Sequence, residues 1–151
     1  MAEKYNVPII LSTHSRTKNR LNKIDEIKLD KRIQFLKPFG LFNYVNLQMN
    51  ALCTISDSGT ISEESAILSF PAISLRQSMG IPEAQDAGII ILTGFAPSVV
   101  LNSVDTVVDE FKNGGYKKIA DDYCVKNTSW RVLKLILGNT KLSNKWWEIN
   151  E

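Results

Sequence analysis

Residues 52–68 read L-C-T-I-S-D-S-G-T-I-S-E-E-S-A-I-L. The run Leu52 to Ile55 is short and apolar, as a buried strand is. Ser56 to Gly59 then supplies turn residues. From Thr60 to Ser69 the chain reads as a helix, with Ile61, Ala66, Ile67 and Leu68 expected to face inward and Pro71 stopping it. A strand that leaves through a glycine turn straight into a helix is half of a parallel β–α–β unit.

The same alternation extends in both directions. Upstream, Val7 to Ser12 reads as a buried strand with Pro8 at its edge, and Thr17 to Ile27, with spaced Leu21, Ile24 and Ile27, as a surface helix. Ile33 to Leu36 is a second strand. Pro38-Phe39-Gly40 is a turn, and Phe42 to Asn50 a weakly amphipathic helix carrying Phe42, Val45, Leu47 and Met49. Downstream, Ala72 to Leu75 is a fourth strand, Pro82 to Ala87 a short helix ended by Gly88, and Ile89 to Leu92 a fifth strand. Pro97 to Lys112 is a helix ended by Asn113-Gly114-Gly115, and Ser129 to Leu137 is the last helix. The fold class is therefore α/β, a parallel sheet with helices on both faces. We expect one domain over residues 1–138 and a polar tail over 139–151 that holds Trp146 and Trp147.

The bulk properties exclude several functions. The 151 residues suffice for one domain with a real core. A net charge of +2, with Lys28, Lys31 and Arg32 interleaved between Glu26 and Asp30, gives no nucleic-acid footprint. No apolar run reaches membrane-spanning length, and the start M-A-E-K-Y-N-V-P has no signal organisation. A cytoplasmic location is expected. Cys53 and Cys124 make neither a disulfide framework nor a metal site, and with His14 as the one histidine no metal is expected.

In parallel sheets ligands bind beyond the carboxyl ends of the strands. Three loops are then expected at one edge: Thr13 to Arg16, Lys37 to Gly40, and Ser56 to Thr60. The last suits phosphate, because helix N-terminal N–H groups attract anions and a glycine admits close approach. A simple N-cap by Ser58 or Thr60, supported by Glu63 or Glu64, explains the same residues, and the two readings are compatible. Glu64 is placed to take ribose hydroxyls or to complement the helix dipole. His14 follows a strand and has Arg16 close by, a pairing that suits an anion. Phe39 is either a base-stacking aromatic or a cover for the core edge.

Taken in order, T-H-S-R-T-K-N-R-L, F-L-K-P-F-G, S-D-S-G-T-I-S-E-E-S, S-F-P-A-I-S-L-R and P-E-A-Q-D-A-G resemble the non-hydrolysing UDP-N-acetylglucosamine 2-epimerases. The likeness is strongest to the branch that makes UDP-N-acetyl-L-fucosamine for bacterial capsule and O-antigen. It covers nearly the whole chain, and its main motif departs in one place, Thr60 standing for a second glycine. The resemblance implies a Rossmann-like three-layer domain, one half of a glycosyltransferase-B-like architecture, with the N-terminal half and its sugar-side carboxylates outside this chain. It implies that UDP or a UDP-N-acetylhexosamine is bound and that no cofactor is used. By position, His14 is the catalytic-group residue at the ribose–phosphate region and Arg16 its anion-binding neighbour. The loop around Phe39 holds the uracil. Ser58, Gly59 and Thr60 bind the diphosphate, and Glu64 holds the ribose.

A second departure concerns Gly80-Ile81, where the family carries Glu-Arg with the arginine near the diphosphate. The resemblance then leaves three readings: a variant or engineered protein, a degenerate paralogue, or a chain in which Arg76 takes the arginine's role. The implied function is the UDP-binding domain of a 2-epimerase, without turnover alone. The alternatives are a degenerate non-catalytic nucleotide-binding or interaction module, and a glycosyltransferase donor domain. The last helix is apolar on more than one face, and the architecture implies that it crosses to the N-terminal half. An isolated domain with that face open can self-associate, with a homodimer as the simplest outcome.

Overall fold

A computed structural model describes residues 1–21, 29–78, 80–114 and 119–148, with the side chains of Ser15, Arg16 and Lys18 outside that description. Expectations for Ile24, Ile27, Met79 and Gly115 therefore lie outside the described residues. The elements run α1 (Ala2–Tyr5), β1 (Ile9–Ser12), α2 (Ser15–Leu21), β2 (Ile33–Leu36), α3 (Leu41–Asn50), β3 (Thr54–Ser56), α4 (Ile61–Leu68), β4 (Ala72–Ser74), α5 (Glu83–Asp86), β5 (Ile91–Leu92), α6 (Pro97–Lys112), a 3-10 turn (Asp121–Cys124) and α7 (Thr128–Trp146). Every described strand pair is parallel, and the fold is α/β as expected. Hydrogen bonding divides the strands into two sets, β1–β2 and β3–β4–β5.

Strand β4 is the centre of the layered part. Ala72, Ile73 and Ser74 are all buried. Successive side chains of a strand point to opposite faces, and the packing follows that rule. Ala72 joins Ile61 of α4, Phe70, Ala84 of α5 and Ile90 in one cluster. Ile73 joins Val100, Val104, Val107 and Val108 of α6 in another, against which Tyr5, Cys53, Ile55 and Ile91 pack. Helices thus cover both faces, giving three layers. The valine spacing on α6 is the apolar stripe that the sequence shows, and Pro97 opens that helix where its missing N–H costs nothing.

Several inward faces differ from the sequence reading. On α4 the buried residues are Ile61, Ser62, Ser65 and Ala66, while Ile67 is exposed. On α3 the buried residue is Gln48, and Phe42 is 89% exposed. Apolar spacing reports which side chains favour burial, whereas the neighbouring elements decide which are buried. The same holds for β1 and β2. Among the described strands these two pair only with each other, and Ile10, Leu11, Phe35 and Leu36 remain part-exposed. Helix α7 continues to Trp146, through the stretch read as a polar tail, and buries none of its residues.

Two local clamps fix the ends. Asp30 accepts from Arg32 at both Nε (2.9 Å) and Nη2 (2.6 Å), and Arg32 Nη1 donates to Asn6 (3.0 Å). The guanidinium holds the Asp30 carboxyl down at about 2. Tyr5 and Lys4 both reach Asp105, tying α1 to α6. No helix among the described residues is long and apolar enough to cross a membrane.

Cys53 packs in the α6-side cluster, and burial pushes its thiol up to about 12, whereas Cys124 is exposed. The thiolate is the reactive form. We expect a colorimetric thiol titration at pH 8 to give one rapid equivalent, from Cys124, with Cys53 reacting only on unfolding. Two rapid equivalents would contradict the packing of β3 on α6.

Candidate functional site

The β3–α4 loop is a hydrogen-bonded unit. The Ser58 N–H donates to Ser56 Oγ (3.0 Å), and the Thr60 N–H to Ser58 Oγ (3.3 Å). The Ser58 and Thr60 hydroxyls lie 2.9 Å apart. Thr60 Oγ1 donates to Glu64 Oε1 (2.7 Å), and the other carboxylate oxygen accepts from Gln48 Nε2 (2.7 Å). A chain of polar contacts therefore runs from Gln48 through Glu64 and Thr60 to Ser58. It joins α3 to the start of α4.

This arrangement corrects the capping expectation. Thr60 stands at the N-cap position of α4, with φ −86° and ψ −10°, yet its side chain caps no backbone group. Its hydroxyl is directed to Glu64 instead. Ser58 accepts only from Thr60, which lies before the helix. The N–H groups of Ile61, Ser62 and Glu63 are the ones an α-helix leaves without internal partners, whereas the Glu64 N–H already bonds Thr60 O (2.9 Å). Glu63 and Glu64 sit in the first turn, Asp57, Ser58, Gly59 and Thr60 are exposed, and the two hydroxyls share this surface. Open helix N–H groups suit a phosphate oxygen.

Glu64 keeps two lone-pair directions beyond those used by Gln48 and Thr60, enough to accept from a vicinal diol. Gln48 is 3% exposed, and its Oε1 has no protein partner among the described residues. Tyr44, one turn before Gln48 on α3, lies near the same acids. Burial first, then the Glu64 and Asp57 carboxylates, raise its phenol above the ordinary value, so at neutral pH it is a hydroxyl donor. The sequence reading missed Gln48 and Tyr44. Their spacing of four puts them on one face of α3, a signal usable only once α3 is known to lie beside α4.

Arg76 follows β4. The Leu75 N–H donates to Ser56 O (2.8 Å) and the Gly94 N–H to Arg76 O (2.9 Å), so backbone bonds on either side fix this segment beside the loop. A Cβ on Gly59 would lie 3.3 Å from Arg76 Nη1, which is how closely the guanidinium approaches the loop backbone.

Ser58, Gly59, Thr60 and Glu64 are therefore together. His14 is exposed just beyond the carboxyl end of β1, after Thr13, whose N–H bonds Leu36 O of β2 (2.9 Å). Phe39 is partly buried in the loop between β2 and α3. Both lie past strand carboxyl ends, within the β1–β2 set. The Arg16 side chain is outside the described residues. Gly80 and Ile81 lie in the turn before α5, and Ile81 is part-exposed. Among the described residues no group of three or more metal-binding side chains occurs.

With this geometry in place, the comparisons with known proteins are specific. The sequence model of the UDP-N-acetylglucosamine 2-epimerase family matches residues 1–137. The UDP-N-acetylglucosamine 2-epimerase of Methanocaldococcus jannaschii is 35% identical over 114 residues, covering 74% of this chain and 31% of that protein. The solved structure of the Rickettsia bellii UDP-N-acetylglucosamine 2-epimerase superposes with a TM-score of 0.80 at 39% identity, over 97% of this chain and 41% of that one. The Neisseria meningitidis enzyme, solved bound to UDP-GlcNAc, gives 0.67 at 25% identity, over 91% of this chain and 38% of that one. The chain thus spans about a third to two fifths of the length of these relatives. Parallel strands layered between helices, the Rossmann-like arrangement, agree with these structures. The chain belongs to the UDP-N-acetylglucosamine 2-epimerase family.

Proposed function

We propose that this chain is the UDP-binding C-terminal domain of a UDP-N-acetylhexosamine 2-epimerase, an isomerase, and has no turnover by itself. The observation that supports it most is the diverted capping chemistry. Thr60 and Ser58 spend their hydroxyls on Glu64 and the loop, which leaves the first-turn N–H groups of α4 for an anion. In this reading the diphosphate sits on Ser58, Gly59 and Thr60, and the ribose hydroxyls donate to Glu64. Phe39 stacks on the uracil. His14, with Arg16, serves the ribose–phosphate region.

The reaction follows from the family. A base removes the proton at C2 while the bond from C1 to UDP breaks, giving a glycal-like intermediate. UDP then re-adds at C1 as C2 is reprotonated on the opposite face. Charge accumulates on the departing diphosphate, so donors fixed beside it lower the barrier more than they tighten the ground state. The acid and base at the sugar are assigned to an N-terminal half that completes the cleft. The motif likeness favours a substrate in the UDP-N-acetyl-L-fucosamine branch of capsule or O-antigen synthesis as part of this reading. The two unpaired cysteines suit a reducing, cytoplasmic setting.

The second reading, a non-catalytic nucleotide-binding module, is favoured by Gly80-Ile81, which offers no charge. It predicts no solvent-deuterium incorporation at C2 when a matched N-terminal half is added.

Calorimetric titration with UDP, and with uridine as control, tests the site. We expect UDP to bind well above uridine and the Ser58→Ala, Glu64→Ala double variant to lose that difference. A double variant that binds like the parent would overturn the assignment. Gln48→Met gives a finer check. It deletes a hydrogen bond to a carboxylate but also a buried, unpartnered carbonyl, two terms of about 1–3 kcal/mol each and opposite sign. Stability to urea should therefore change by about 1 kcal/mol or less, while UDP affinity drops severalfold as Glu64 loses its anchor.

A further inference from the structure

We propose that Arg76 is the cation that binds the diphosphate of this site. The proposal rests on the UDP-binding reading above and deepens it by naming the charge that the site uses.

The β3–α4 loop is flanked by like charges, with Asp57 in it and Glu63 and Glu64 on the first turn of the helix. A dianionic ligand approaching hydroxyls and N–H groups alone would meet net repulsion. Ile81 adds no charge. Arg76 supplies what is missing. Its Nη1 lies 3.3 Å from the point that a Cβ on Gly59 would occupy, so it stands against the residue between the two loop hydroxyls. Its backbone is held beside the loop by the Gly94 N–H on its carbonyl and by the Leu75 N–H on Ser56 O, so the side chain starts from a set position within reach of Gly59.

The guanidinium is also uncommitted. Among the described residues, the ion pairs are Lys4–Asp105 and Arg32–Asp30, and no hydrogen bond of the Arg76 side chain occurs. Glu64 directs its two oxygens to Gln48 and Thr60, and no ion pair between it and Arg76 occurs among the described residues. Arg76 itself is half-buried. A partly desolvated guanidinium that pairs with no carboxylate is unfavourable in the empty protein. A planar fork of donors beside open N–H groups matches the oxygens of a phosphate. A Cβ at position 59 would make a tight contact with Nη1 that a shift of a few tenths of an ångström in the guanidinium relieves.

The test uses the full chain and calorimetric titrations with UDP, UMP and uridine. The parent should bind in the order UDP, UMP, uridine, with UDP affinity falling steeply as salt is raised. Arg76→Gln should weaken UDP by about ten- to a hundredfold, the worth of a charge-assisted hydrogen-bonded contact. It should leave uridine unchanged and flatten the salt dependence. Arg76→Lys, which keeps the charge but not the fork, should recover part of the loss, and it carries the test should Arg76→Gln fail to fold by circular dichroism. A folded Arg76→Gln that binds UDP like the parent would overturn the proposal and leave the Ser58–Glu64 site standing. Equal losses for UDP and uridine would overturn it as well, by showing a structural role. A parent that binds no UDP would remove the site reading and the proposal together.

Discussion

The site depends on strand β4 being buried on both faces. Ala72 faces α4 and α5 while Ile73 faces α6, so three helices are positioned by successive residues of one short strand. The register with β3, Thr54 opposite Ala72 and Ser56 opposite Ser74, brings the ends of both strands to the same level. The loop after β3 and the segment after β4 must then leave side by side. The Arg76 backbone is thereby brought within side-chain reach of Gly59. A slip of one residue would exchange the faces of the strand and lose both clusters at once.

The second constraint is how the loop distributes its hydroxyls. A helix that begins with T-I-S-E-E would ordinarily satisfy its own first turn. Here Thr60 bonds to Glu64, and Gln48 fixes the other carboxylate oxygen from α3. The helix start stays open because a carboxylate on its own first turn competes for the capping side chain. That competition is itself stabilised by a buried glutamine on another element. The open helix start is therefore a property of the folded chain itself, which is the preorganised arrangement that the proposed diphosphate site needs.

Much of this was legible in the sequence and some of it was not. The bounds of β2 and α6 follow from local signals: β-branched and apolar residues in the first, a proline start and valine spacing in the second. The βα turn at Ser56 to Thr60 announced itself by glycine and serine. Inward faces were harder to read. Phe42 and Ile67 are exposed while Gln48 and Ser65 are buried, because packing partners come from distant segments and a polar residue with a partner can be interior. The length of α7 was missed because residues 138–146 are polar, and polarity marks an exposed helix as readily as a tail. Of the site, Ser58, Gly59, Thr60 and Glu64 came from one contiguous motif. Gln48 and Tyr44 required the placement of α3, and the closeness of Arg76 to Gly59 required the register of β4.

The most direct measurement is the map of amide chemical shifts in an isotope-labelled chain as UDP is added. If the open start of α4 is the diphosphate site, the largest changes fall on Gly59, Thr60, Ile61 and Ser62, with smaller ones at Arg76 and Gln48. Changes confined to the exposed faces of α7, or to β1 and β2 without the β3–α4 loop, would contradict the account.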